Sequence, residues 1–423
     1  MTEIYKPVIY KLSSIKEEDI FKYDETPKVS LNISHPKFSL GFQHFIHQSL
    51  GKMDITKEFK GKKKVYHIMS QFERHVDDYD ADINNVSKAY FNIDPKLNIV
   101  DTTFYKVWEL LFMFPVIDID KSGFVSVHLD DNTGGHFQAT MLFRDKFAKK
   151  GLSKNDNYYI ITSDTEYKNK SNTVATLLDY YKKEKPVRVL SQKTLPKGKA
   201  DLITANGKFI WKNIIIQEQD AIKLLLKQLV DALQIQEKGG HFIIKIYESF
   251  TEITEKYISI ILTFYNEVYI VKPLMSRYAS TEKYLVCLDF KNIKDQNKKI
   301  DRLNKILNEA DKYKNKNIID FFSGIKLSDE LQATLISSNI ELANKQFIQI
   351  NEMVDFINKQ NYRGDEYNKQ RLMQIDATKY WLSNYFPEQN DFSKKKSEVI
   401  KLTNAIIGDN NKKVEGLLKK YEF

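Results

Sequence analysis

Two ionisable side chains sit in stretches that otherwise read as apolar strands. Lys245 lies within His241-Phe242-Ile243-Ile244-Lys245-Ile246, and Glu282 follows 37 residues later, just ahead of Lys283-Tyr284-Leu285-Val286-Cys287. Charge taken out of water is costly unless it is paired. Each residue must therefore face a polar cleft or meet a partner, although either alone also fits a solvated strand edge. The chemistry open to a lysine in such a cleft is proton transfer: burial and a second ammonium group lower its basicity, and a nearby carboxylate raises it.

The elements that would position these residues are legible. Gly239 to Cys287 reads as strand, helix, strand, loop and strand, the loop being Lys272-Pro273-Leu274-Met275-Ser276-Arg277. Ahead of it, Ile222, Leu225, Leu226, Leu229 and Leu233 give Glu218 to Ile235 the spacing of a helix with one buried face, with Gly239-Gly240 as its stop. That helix would feed the Lys245 strand by a right-handed crossover. A further strand, Phe124 to Leu129, enters Asp130-Asp131-Asn132-Thr133-Gly134-Gly135-His136-Phe137, and a Gly-rich turn opening a helix lets the backbone approach a ligand closely. Phe104, Val107, Trp108 and Leu111 predict a helix that leaves Lys106 off its apolar stripe. From Gly151 to Lys199 the chain is polar and Lys-rich around a strand at Tyr158 to Thr162, and is expected to form an insertion over the cleft. Asp164, after that strand, could accept from ligand hydroxyls or cap a turn. Asp201 to Gly207 reads as a strand ending at Asn206.

The run Gly239-Gly240-His241-Phe242-Ile243-Ile244-Lys245, followed by K-P-x-x-S-R-x-x-S-x-E-x-Y-x-V from Lys272 to Val286, resembles the late motifs of FtsJ-like ribose 2′-O-methyltransferases, especially the mRNA cap-specific members. The resemblance covers less than half of the chain. It implies a Rossmann-like, S-adenosylmethionine-dependent α/β core over residues 101–290, acting on capped RNA. It implies a catalytic set of Lys106, Lys245, Glu282 and the residue at 206, with Lys245 as base. Here Asn206 stands where the family has aspartate, and Asp201 is no substitute, because five extended residues place it roughly 16 Å away. Loss of that carboxylate favours a neutral lysine but weakens its positioning. The resemblance also implies cofactor contacts from Asp131, Thr133, Gly134, Gly135, Phe137 and Asp164, and RNA contacts from Ser276, Arg277 and Ser280. This copy departs from the family's Pro-Gly-Gly-Phe turn: Thr133 replaces the proline, and His136 interrupts Gly-Gly-Phe. Three functions stay open: an active cap methyltransferase, a silent RNA-binding subunit of a capping, transcription or polyadenylation assembly, and a structural or virion protein keeping the fold.

Composition frames these readings. With 42% apolar residues, 26 Phe and 24 Tyr in 423 positions, the chain can build a large core. No apolar run is long enough to span a bilayer and no charged-then-apolar leader opens the chain, so a soluble, non-secreted protein is expected. One cysteine, Cys287, excludes an intramolecular disulfide and a cysteine-built zinc site. A net charge of +9, with lysine clusters at 60–64, 182–185 and 394–396, suits a polyanion partner and equally a lysine-rich solvated surface. The helical tail and Lys/Asn-rich character resemble members from large cytoplasmic DNA viruses, implying the cytoplasm, a viral factory or the virion. Residues 1–100 are expected to cap one end of the fold, with His44 and His47 in a structural role in preference to a metal site. Residues 291–423 are expected to be helical, with Ile300 to Tyr313, Ser328 to Met353 and Asn368 to Tyr385 as segments. Tyr380, Trp381 and Tyr385 are candidates for stacking on nucleic acid.

Overall fold

The structure is a computed structural model that describes residues 5–13, 20–32, 34–36, 40–59, 69–93, 97–161, 187–190 (backbone only), 198–207, 213–291, 293–313 and 316–420. Asp164 and the lysine clusters at 60–64 and 182–185 lie outside these residues.

The first hundred residues supply strands β1 (Val8–Leu12) and β2 (Lys28–Ser30) and helices α1 (Leu40–Lys52) and α2 (Ile83–Tyr90). Helix α3 (Thr102–Met113) starts where the Asp101 carboxylate accepts from the Thr103 amide at 2.9 Å, an N-cap that satisfies an otherwise orphan donor. The α/β part follows as β3 (Val125–Leu129), α4 (Gly135–Phe147), β4 (Asn157–Ile161), β5 (Val187–Leu190), β6 (Ala200–Ala205), α5 (Gln217–Ile235), β7 (Gln236–Ile246), α6 (Glu252–Phe264), β8 (Tyr265–Lys272) and β9 (Lys283–Phe290). Beyond it come α7 (Gln296–Asp311), β10 (Asn317–Asp320), α8 (Asp329–Asn358), α9 (Asp365–Tyr385) and α10 (Phe392–Lys420).

Among the described residues, eight strands form one sheet in the order β1-β8-β9-β7-β6-β3-β4-β5. Strands β5, β4, β3, β6 and β7 are parallel, and β9 inserts antiparallel between β7 and β8. This is a Rossmann-like sheet, with β1 added antiparallel at the β8 edge. Both faces are covered, so the central strands are apolar nearly throughout. One face packs chiefly on α5, α6, α7 and the start of α8. The other packs on α3, α4, α9 and most of α10. Pairing of Lys245 with Tyr284 and of Ile246 with Lys283 puts Lys245 on the α3 side and Lys283 on the opposite side.

Several expectations need correction. The zone after Gly151 is not an insertion where it is described, because β4 and β5 are integral strands of the sheet. Gly239-Gly240 does not stop a helix: α5 ends at Ile235 and runs directly into β7, which holds both glycines. A Cβ on Gly240 would lie 2.8 Å from the Ala200 carbonyl oxygen, so the glycine permits close approach of β6 where the pairing register shifts. The helical tail contains a strand, β10, which pairs antiparallel with β2. Trp381 and Tyr385 are buried against α3 and unavailable for stacking on RNA, and the Trp381 indole donates to Glu109 at 3.0 Å. The Tyr380 hydroxyl donates to the Tyr5 carbonyl at 3.0 Å. His47 meets the buried Glu248 at 2.9 Å.

Two glycine substitutions should act in opposite directions. Gly240→Ala forces a methyl into backbone and should cost about 1–3 kcal/mol in urea unfolding. Gly408→Ala, within α10 and with nothing inside 4 Å of the added Cβ, should stabilise by about 0.5–1 kcal/mol.

Candidate active site

Parallel strands end with their carboxyl edges on one side of the sheet, and four of the expected residues gather there. Lys245 arrives on β7, Asn206 directly follows β6, and Glu282 directly precedes β9, whose antiparallel run brings its first residue to the same edge. Lys106 reaches across from α3. Its ammonium group donates to Glu282 Oε1 at 2.6 Å, and the Tyr284 hydroxyl donates to the same oxygen at 3.0 Å. Lys245 Nζ donates to Asn206 Oδ1 at 2.7 Å and lies 5.8 Å from the centre of the Tyr247 ring.

The charges are strongly coupled. Burial alone would push the Glu282 carboxyl up, but the ammonium groups of Lys106 and Lys245 outweigh it and hold the group well below the usual carboxylate range. Burial lowers the Lys245 pKa; Glu282 opposes this and Lys106 reinforces it. The result is an amine nearer neutrality than an exposed lysine, beside a carboxylate that stays ionised. Such an amine can accept a proton from a hydroxyl group.

Other expected contacts fall differently. The Asp131 carboxylate is fully buried and faces inward: Oδ1 accepts from Asn206 Nδ2 at 3.0 Å and Oδ2 from the Phe137 amide at 2.9 Å. It is therefore not a direct ligand contact. Phe137 points into the core against His128 and Tyr158. Gly135 is required by packing, since a Cβ there would lie 2.0 Å from Thr103 Oγ1. Ser276 is buried, its hydroxyl donating to the Glu282 carbonyl at 3.3 Å, so it shapes its own loop and leaves no surface for RNA. Arg277 forms an ion pair with the buried Glu73, while Ser280 is exposed.

The turn after β3 retains features suited to a polar ligand. Gly134 has φ of 82°, a left-handed conformation that favours glycine. Thr133 Oγ1 and both ring nitrogens of His136 are buried without a hydrogen-bond partner among the described residues. Buried polar atoms are nearly always satisfied, so their position marks where a cofactor's polar groups fit. Thr133, Gly134 and His136 are the residues that would hold S-adenosylmethionine at this turn.

Sequence reading missed Glu109, one turn beyond Lys106 on α3. Its buried carboxylate accepts from the amides of Leu274 and Met275 at 2.7 and 2.8 Å and fastens the loop leading to Glu282. A charged residue within an apolar helical stripe was the available signal.

A doubly covered α/β sheet with a Gly-Gly turn after its first parallel strand, and with lysines and a carboxylate at its carboxyl edge, places a polar ligand site at the end where such sheets bind their ligands. Residues 103–290 match the family model described as FtsJ-like methyltransferase. Among curated relatives, the chain is 26% identical over 257 residues to cap-specific mRNA (nucleoside-2′-O-)-methyltransferase 1A of Caenorhabditis briggsae, a match covering 58% of this chain and 28% of that protein. It is 25% identical to the same organism's "inactive" 1B protein, covering 58% of this chain and 29% of the relative. An uncharacterized protein of Acanthamoeba polyphaga mimivirus is 24% identical over 197 residues, covering 46% of this chain and 43% of the relative. The chain thus spans less than half the length of each of these relatives.

Burial raises the Glu109 pKa to about 7 against the pull of its three N–H donors. A carboxyl whose folded pKa lies above its unfolded value contributes stability that is present at low pH and lost as pH rises through the folded value. The thermal stability of the wild type relative to Glu109→Gln should therefore fall between pH 5 and pH 8, as checked by melting curves across that range.

Proposed function

We propose that this chain transfers a methyl group from S-adenosylmethionine to a ribose 2′-hydroxyl near the 5′ cap of mRNA. The observation that carries this reading is the meeting of Lys106, Glu282, Lys245 and Asn206 beside the turn at Thr133-Gly134. S-adenosylmethionine, held by Thr133, Gly134 and His136, would supply a methyl group on a positively charged sulfur and would keep the carbon–sulfur bonding pair as the ribose oxygen takes that methyl. The hydroxyl proton passes to the neutral amine of Lys245. Glu282, fixed by Lys106 and the Tyr284 hydroxyl, lies within electrostatic reach of Lys245 and would orient the hydroxyl and the amine. Exposed Ser280 and the neighbouring Arg277 border the path of the RNA. Capping or transcription machinery, in the cytoplasm, a viral factory or the virion, is the partner and setting this reading favours.

A second reading, a silent RNA-binding subunit, draws on Asn206, which supplies Lys245 with a neutral acceptor where the family has a carboxylate. Labelled-methyl transfer to capped RNA separates the two. The active reading expects transfer at a rate that Lys245→Met lowers at least about a hundredfold without weakening RNA binding. The wild-type rate should rise with pH as the buried amine loses its proton. RNA binding without transfer at any pH would select the silent reading.

A further inference from the structure

The carboxylate missing from position 206 has a counterpart one hydrogen bond further back. Asn206 is a two-headed group: its oxygen accepts from Lys245 Nζ at 2.7 Å and its amino group donates to Asp131 Oδ1 at 3.0 Å. Lysine, amide and carboxylate thus form a buried chain, whose far end is anchored by the Phe137 amide at the start of α4 at 2.9 Å. An amide presents either its oxygen or its amino group to a neighbour. Next to an ammonium only the oxygen is productive, and the neighbour on the other side decides which way the amide turns. An acceptor that cannot donate, an ionised carboxylate, enforces the productive orientation.

We propose that Asp131 is a positioning residue for Lys245, acting through Asn206. This inference rests on the reading of Lys245 as proton acceptor. The pair 131/206 carries one negative charge, as the single aspartate of the family does, but holds it one residue away from the amine. Lys245 is thereby aimed with less of the direct electrostatic pull that would keep it protonated. The arrangement also makes a specific demand on exchange at these sites. Asn206→Asp by itself sets two buried carboxylates in hydrogen-bond contact, so that one must take up a proton and the amine is no longer addressed by a fixed acceptor. The exchange of both residues, Asp131→Asn with Asn206→Asp, keeps every hydrogen bond and the total charge while moving the carboxylate next to Lys245.

The test uses the full chain in these three forms beside the wild type. Methyl transfer to capped RNA is measured as kcat and KM against pH. The titration of Lys245 is followed in parallel by NMR of protein labelled with 13C-lysine, its resonance assigned by loss in Lys245→Met. Asp131→Asn should lower kcat on the order of tenfold with KM for RNA unchanged, and should shift the Lys245 titration to lower pH. Asn206→Asp should not raise kcat. The double exchange should recover kcat to within about threefold of the wild type at an optimum moved to higher pH, and should move the Lys245 titration upward. If Asp131→Asn leaves both kcat and the Lys245 titration unchanged, the proposal is overturned. A double exchange no more active than the worse single variant also overturns it, leaving Asp131 as a cap of α4 alone. If the wild type transfers no methyl group, the enzymatic reading fails. The Lys245 titration still reports on the chain of hydrogen bonds, so the two failures are told apart.

Discussion

An ammonium group withdrawn from water as far as Lys245 loses most of its hydration, and here an amide oxygen stands in for the carboxylate that would compensate it most fully. Much of the carboxyl edge is arranged around that deficit. Glu282 supplies the nearby negative charge, Lys106 partly neutralises it, and Tyr284 contributes a hydroxyl hydrogen bond. The balance leaves one amine weakened as an acid–base group and one carboxylate fixed as an anion. Each depends on the other for its protonation state.

Helix α3 ties this balance to the rest of the molecule. Asp101 and Thr103 crowd against Gly135 at the turn after β3, Lys106 reaches Glu282, and Glu109 grips the backbone at Leu274 and Met275. Three successive levels of one helix thus address the turn, the ion pair and the loop. Trp381 on α9 donates to Glu109 from behind. The helical tail is therefore packed into the support of the site and shares its core.

The sequence disclosed what depends on local pattern. Strand and helix periodicity located β3, β6, β7 and β9, and the order of the motifs placed Lys106 and Asn206 at the same edge as Lys245 and Glu282. Contacts between distant residues escaped it. Nothing at position 131 announces that its carboxylate meets an amide 75 residues away. Gly239-Gly240 looks like a helix stop because the bulge it serves depends on the neighbouring strand. The aromatic residues of α9 read as a surface until α3 and α10 are seen to cover them. Asp131 and Phe137 were legible as members of the turn after β3, but their directions were set by tertiary packing.

The pairing of β1 with β8 has a consequence for biosynthesis. Val8 lies opposite Lys272, and Asn410 Nδ2 donates to the Ile9 carbonyl at 2.8 Å. At ribosomal speeds of about 5–20 residues per second, the first strand emerges roughly a quarter of a minute or more before its partner exists. Throughout that interval Val8-Ile9-Tyr10-Lys11-Leu12 is an apolar ribbon with nowhere to dock, which invites chaperone engagement or association with a neighbouring nascent chain. Helix α10, some 400 residues downstream of β1, is the element that locks that strand in place.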